Sequence, residues 1–380
     1  MSHFPKAKRT LLSTSAAQRI LHSHHSRQAR HILANAADRI LRGQQLALSG
    51  KTPFEVIYQR EIISLRHYST DRHPVKHRIP LVIVPPLAAN MLVYDLFPHR
   101  SLVGYLLEQG FDVYLIDWGT PSLQQAKYNL GTYVKIFMPD FIEKIREHSK
   151  QQQLSLYGWS LGGALSLCYT ALFKDKHIQN MVILASPINT HKSGYMGKLY
   201  QKLAIPAQWI RRHTKFRIYH VPSRVFHIHG WQNTLGFKLT DPIGNFRNYW
   251  ELLKNLNDRQ FVIHHATSSS FVDNMLAYPG GVMRDIILRF WIDNELSTGR
   301  VKFGEQTADL KDIDCAVLAI GGSTDIIVTA EAVRPLMDLI SSTDKQFNIV
   351  PGGHMGLVSG NQAPDSVWPV ITAWLVQRSD

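Results

Sequence analysis

The sequence predicts an α/β protein, a mostly parallel central sheet flanked by helices with a helical cap inserted late in the chain. Three observations predict it. After about residue 50, short apolar runs rich in β-formers alternate with helical stretches, the pattern of a parallel sheet covered on both faces. One such run ends in a glycine-bracketed serine that opens a helix. A gap of some 130 residues then separates two of the runs, far more than one crossover needs.

The predicted core strands are residues 81–84, 113–117, 154–157, 181–185, 317–320 and 347–350, with antiparallel edge strands at 54–58 and 61–68. Helices are predicted over 102–109, 133–148, 161–173 and 330–340. The catalytic domain is therefore 51–187 together with 314–380, and 188–313 is the cap, with helical pieces at 246–256 and 283–294.

Residues 1–50 form a separate basic arm. Residues 1–43 hold eight Lys or Arg against the single Asp38, about half of the +13 excess of the whole chain. Ile20, Leu21, Ile32, Leu33, Ala36, Ala37, Ile40 and Leu41 recur at helical spacing, so the arm reads as a basic amphipathic helix. Its bland role is a helix laid on its own domain with its arginines in solvent. Its sharper role is attachment to an anionic or apolar surface, such as a membrane. A cleaved transit peptide shares the same composition. A second basic stretch runs from Lys192 to Arg224 without one acidic residue; it reads first as a solvated face, and in the cap region it would also offer a positive rim able to steer an anionic substrate.

Composition excludes several classes. At 44% apolar and 19% charged residues, the chain can bury a large core and is neither disordered nor fibrous. Cys168 and Cys315 are too few for a disulfide framework or a cysteine-rich metal site. The most apolar stretch, 81–94, is broken by Pro85, Pro86 and Asn90 and falls short of the roughly 20 residues that span a bilayer. No secretory leader is recognisable, and a cytoplasmic location, free or on a granule or membrane, is expected. Despite the charge, no nucleic-acid module or base-stacking pattern is present, so no nucleic-acid partner is expected. Neither a metal nor a cofactor is expected, because no histidine cluster has ligand spacing, His22–His25 and His264–His265 included. A homodimer is left open.

The chemistry lies in residues 154–163, LSLYGWSLGG, a strand leading through Gly-x-Ser-x-Gly into a helix. This is a nucleophile elbow. The serine occupies a strained strand-to-helix turn, and glycines two residues to either side let the backbones approach. The helix N-terminus then presents N–H groups to a developing oxyanion. Ser160 needs a base, and the base needs an orienting acid, in the order serine, acid, histidine at later strand ends. Asp325 follows the strand at 317–320, and His354 follows the strand at 347–350 within Pro-Gly-Gly-His. Asp314, Asp312 and Asp117 are alternatives for the acid, the last more suited to closing a turn with Trp118 and Gly119. The oxyanion donors are expected to be the main-chain N–H of Leu161 and that of Leu87, the first available after Pro85 and Pro86, with Ala88 in reserve.

These residues resemble the poly(3-hydroxyalkanoate) synthases and their synthase-like relatives among the α/β-hydrolases. The likeness covers roughly residues 50–375. It rests on PLVIVPP at 80–86, GFDVYLIDWG at 110–119 and GWSLGG at 158–163, then Asp325 with a following valine, PGGHMG at 351–356 and VSG at 358–360. The resemblance implies a catalytic triad of Ser160, Asp325 and His354, and a cap over the active site. It also implies cysteine at the nucleophile position of true synthases, where this chain has Ser160. A cysteine loaded from a thioester keeps the acyl group activated, whereas a serine converts it downhill to an ordinary ester. Cys168, eight residues along the elbow helix, is expected to pack inside and cannot substitute. The expectation is therefore a serine hydrolase cleaving hydroxyacyl esters or acyl-CoA thioesters. A polymerising acyltransferase is the alternative, and a non-catalytic granule-binding protein the second alternative.

Overall fold

Along each core strand, successive apolar side chains leave opposite faces of the sheet, and both faces are buried. The computed structural model describes residues 29–69, 72–214 and 218–380. Eight strands form one sheet: β1 (Glu55–Arg60), β2 (Ile63–Tyr68), β3 (Leu81–Val84), β4 (Val113–Asp117), β5 (Leu154–Trp159), β6 (Ile178–Leu184), β7 (Ala316–Gly322) and β8 (Lys345–Val350). Their spatial order is β1-β2-β4-β3-β5-β6-β7-β8. The pairings of β1 with β2 and of β2 with β4 are antiparallel, and all others are parallel.

The two-residue period divides the core cleanly. Val82, Val84, Tyr114, Ile116, Leu154, Leu156, Met181 and Ile183 face one cluster, with Phe137, Phe141 and Ile142 packed against them. Leu81, Ile83, Val113, Leu115, Tyr157, Trp159, Val182 and Leu184 face the other, covered by Leu106, Trp368, Ile371 and Trp374. The covering helices are α1 (Leu102–Gln109), α2 (Met138–Ser149), α3 (Leu161–Phe173) and, at the end of the chain, Trp368–Val376. Ser101 caps α1 by accepting the Gly104 N–H at 2.9 Å.

The chain runs from β3 to β4 on one side, then returns to β5 on the other. That reversal opens a crevice beyond the carboxyl ends of β3 and β5, where ligands of open α/β sheets bind. Ser160 and Leu87 lie just past these two strand ends.

Some elements depart from the predicted ones. The helix expected over 133–148 begins as a π-helical stretch, Tyr133–Phe137, before α2. The helix expected over 330–340 is two single turns, Ala330–Val333 and Leu336–Leu339, separated where Pro335 has no N–H to continue the ladder. The piece expected at 283–294 is a short helix, Gly280–Asp285, followed by a second π stretch, Ile286–Ile292.

The described residues form two compact units. One comprises 29–48 and Asp241–Ser270, the other Ser49–Thr240 and Phe271–Asp380. In the first, residues 29–41 are helical, while Ile20, Leu21 and the arm's charges before Arg30 lie outside the described residues. This helix uses polar side chains for its contacts. Asn35 Nδ2 donates to the Leu256 carbonyl at 2.7 Å, Arg259 donates to Asp38 at 2.7 Å, and Arg39 reaches Ser269 Oγ at 2.7 Å. The expectation that the arginines face solvent therefore holds for Arg42 and not for Arg39. Leu33, Ile40 and Leu41 are left exposed, at 69%, 80% and 80%.

Candidate active site

The turn after β5 can form only because of what its neighbours lack. Ser160 holds φ 54° and ψ −124°, a backbone conformation rare for a residue with a Cβ. Its N–H donates to the Leu184 carbonyl at 2.8 Å, which fixes it. A Cβ on residue 162 would lie 1.9 Å from the Val84 carbonyl oxygen, and one on residue 158 would lie 2.4 Å from the Gly163 Cα. Glycine at both places is a steric requirement of the bend.

The elbow delivers Ser160 Oγ to 3.0 Å from His354 Nε2, and His354 Nδ1 lies 2.8 Å from Asp325 Oδ2. The second carboxylate oxygen of Asp325 accepts the N–H groups of Ile327 and Val328, each at 2.9 Å. With one oxygen held by main chain and its side chain fully buried, Asp325 can turn only the other to the imidazole. The loops that carry the two residues are knitted together. Ser323 N donates to the Val350 carbonyl at 2.9 Å and Thr324 N to the Gly352 carbonyl at 3.2 Å. The fully buried Trp159 ring packs on the imidazole at a centroid distance of 5.4 Å. Sequence reasoning missed this contact of Trp159, the residue just before Ser160, because any large apolar side chain fits a buried strand end.

The alternative acids are occupied elsewhere. Asp117 pairs with Arg66 and accepts the Gly119 N–H at 3.0 Å, closing the expected turn. Asp312 and Asp314 pair with Lys174 and Lys176. Cys168 is buried in α3, and burial pushes its thiol up to about 12, so it supplies no thiolate.

Leu161 is the first residue of α3, and Leu87 follows the two prolines after β3. Neither N–H makes a hydrogen bond among the described residues, which leaves both for an incoming oxygen. The Pro85 carbonyl accepts the Trp118 indole N–H at 2.8 Å, anchoring the loop that carries Leu87. A serine hydroxyl beside an imidazole, a carboxylate behind that imidazole and two main-chain N–H groups are an arrangement that can support acyl transfer through an ester on serine.

Comparisons with known proteins place the site among its relatives. A family model described as the α/β-hydrolase fold matches residues 79–360. Another, described as the N-terminus of poly-β-hydroxybutyrate polymerase (PhaC), matches residues 21–106. The chain is 29% identical over 332 residues to the poly(3-hydroxyalkanoate) polymerase subunit PhaC of Haloferax mediterranei, covering 87% of this chain and 65% of that one. It thus spans less than two thirds of that relative's length. It is 28% identical over 338 residues to the corresponding subunit of Allochromatium vinosum, of which it covers 90%. Among solved structures, it is similar in fold to a monoglyceride lipase of Saccharomyces cerevisiae, with a TM-score of 0.53 at 14% identity over 87% of this chain and 96% of that one. The Paleococcus ferrophilus monoacylglycerol lipase gives a TM-score of 0.50 at 18% identity over 84% of this chain and all of that one. The sequence relatives favour the polymerising alternative over the hydrolytic reading that the serine suggests. By its matched family model and its strand order, the chain belongs to the α/β-hydrolase fold family, and with serine at its elbow it is similar in sequence to poly(3-hydroxyalkanoate) polymerase subunits.

Proposed function

We propose that the protein is a serine-dependent acyltransferase of the polyhydroxyalkanoate synthase type, moving hydroxyacyl groups from a thioester to a hydroxyl. The observation that carries this reading is the buried Asp325–His354–Ser160 relay in a chain similar to polymerase subunits along 87% of its length. His354 Nε2 takes the Oγ proton as Ser160 attacks the thioester carbonyl. The tetrahedral oxyanion rests against the N–H groups of Leu161 and Leu87, and the thiol leaves with the proton from His354. The hydroxyl of a second hydroxyacyl group then gives its proton to His354 and attacks the serine ester, and His354 returns that proton to the departing Ser160 Oγ, restoring the relay. Loading is downhill and the second step exchanges one ester for another, so chain growth is driven by the thioester.

The basic edge beside the site supports an anionic acyl carrier. A cavity of about 730 Å³ reaches Asp325 and is lined by His191, Lys192 and Lys198. For the product, the exposed Leu33, Ile40 and Leu41 of the arm support contact with an apolar polymer surface.

Hydrolysis is the second reading. Ser160 favours it, because an ordinary ester has lost the activation that a cysteine thioester retains. The two are separated with 3-hydroxybutyryl-CoA, following CoA release beside the acyl product. Oligoester formed in step with CoA is expected. Free 3-hydroxybutyrate as the sole product would establish hydrolysis and remove the transferase reading.

A further inference from the structure

Away from Ser160, two cavities of unlike chemistry share one wall. The larger, about 580 Å³, contains the buried Asp285 and Arg289 with Lys135 and Lys302 at its edge. The smaller, about 160 Å³, is apolar and lined by Ala207, Ile210, Leu288 and Ile292. Tyr219 lines both. The π stretch Ile286–Ile292 contributes Arg289 to the charged cavity and Leu288 and Ile292 to the apolar one. The other π stretch, Tyr133–Phe137, contributes Lys135. Such widened turns recur at functional sites.

The two carboxylates are satisfied, and so is the guanidinium of Arg289 but for one nitrogen. Asp285 accepts the Leu130 N–H at 3.1 Å and the Tyr219 hydroxyl at 3.2 Å. Glu295 takes Nε and Nη2 of Arg289, at 3.1 and 2.8 Å. Arg289 Nη1 is left 3.9 Å from Asp285, beyond hydrogen-bond reach, and no acceptor among the described residues binds it. Lys135 and Lys302 make no ion pair among the described residues. Three cations thus stand against two carboxylates, and the unspent donor belongs to a buried guanidinium suited to an oxyanion. Arg211 also lines the apolar cavity, and its guanidinium is held by Asp293 at 2.6 and 2.7 Å.

We propose that the paired cavities bind an amphipathic carboxylate, a short fatty or hydroxy acid. Its carboxylate meets Arg289 Nη1 between Lys135 and Lys302, and its hydrocarbon tail passes Tyr219 into the apolar cavity. None of the lining residues belongs to the Ser160 relay, so this is a second ligand site of the chain.

Octanoate and octanol titrated calorimetrically into the intact protein test it. Saturable octanoate binding is expected, with octanol at least about tenfold weaker for want of the charge-assisted bond. Lys302→Ala should weaken octanoate several-fold and leave octanol unchanged, while Ala207→Phe should weaken both by filling the tail cavity. A photoreactive fatty acid on the unaltered protein, mapped by peptide mass spectrometry, guards against misfolding of a variant. Its crosslinks should fall within 207–219 and 285–304. Absence of saturable binding, binding indifferent to both substitutions, or crosslinks confined to the neighbourhood of Ser160 would overturn the proposal.

Discussion

The crevice at the ends of β3, β5, β7 and β8 and the unit of 29–48 with Asp241–Ser270 treat their side chains in opposite ways. Around the elbow, aromatic and aliphatic groups are buried almost completely, Trp159 at 1% and Tyr157 at 0% exposure. The polar groups of the relay are each paired there: Ser160 with His354, His354 with Asp325, and Asp325 with two N–H groups besides. In the smaller unit, polar groups make the specific ties, and Leu33, Ile40, Leu41, Phe246 and Leu253 face outward. A reaction centre needs immobility and a dry surround. An apolar outer face serves instead for meeting something apolar. The first region holds its side chains in a fixed geometry, and the second leaves apolar side chains exposed.

The comparison breaks most sharply at the relay. Ser160→Ala should lower the transfer rate by about 10⁴-fold or more, and Asp325→Asn by a similar factor because the imidazole loses its fixed tautomer. Steady-state rates on a chromogenic ester read both; rates within tenfold of wild type would remove these residues from the chemistry.

Backbone tolerance comes next. Gly162→Ala should cost about 3 kcal/mol or more, since its Cβ would collide with the Val84 carbonyl and the elbow cannot yield. Gly236→Ala, within the inserted helix Gly230–Lys238 with nothing within 4 Å of a new Cβ, should instead gain about 0.5–1 kcal/mol. Denaturant midpoints of the two variants should move in opposite directions, and movement in the same direction would deny that the elbow is sterically special.

Surface substitutions sharpen the second region. Ile40→Glu with Leu41→Glu should leave stability within about 0.5 kcal/mol yet reduce co-sedimentation with poly(3-hydroxybutyrate) particles. Undiminished co-sedimentation would show that the exposed face is not what meets the polymer. Least visible is an expected silence. Burial pushes both Cys168 and Cys315 thiols up to about 12. Alkylation of the folded protein at pH 8 should therefore be negligible, becoming complete on unfolding.

The sequence disclosed the parts that depend on local pattern. Alternating apolar runs marked the core strands, and Gly158, Ser160 and Gly162 marked the elbow, because a bend that excludes every Cβ leaves a trace in the residues themselves. Asp325 and His354 could be proposed from their strand ends and from the order serine, acid, histidine, with Asp312, Asp314 and Asp117 left as other acids. Trp159 against His354 was not foreseen, since any large apolar residue fits a buried strand end. The π stretches at Tyr133–Phe137 and Ile286–Ile292 carry no local signature distinguishing them from ordinary helix. The tie of Arg39 to Ser269 joins residues 230 positions apart, beyond the reach of any periodicity. Pro335, by contrast, was legible as a helix breaker and should have divided the helix expected over 330–340.

The central claim is that the hydroxyacyl group passes through an ester on Ser160. Intact-mass and peptide mapping of protein quenched in acid during turnover of 3-hydroxybutyryl-CoA tests it directly. The account predicts one or more 3-hydroxybutyryl units on the peptide containing Ser160, absent from Ser160→Ala and discharged when a hydroxyacyl acceptor is added. CoA release with no adduct at Ser160, or with the adduct on another residue, would contradict it.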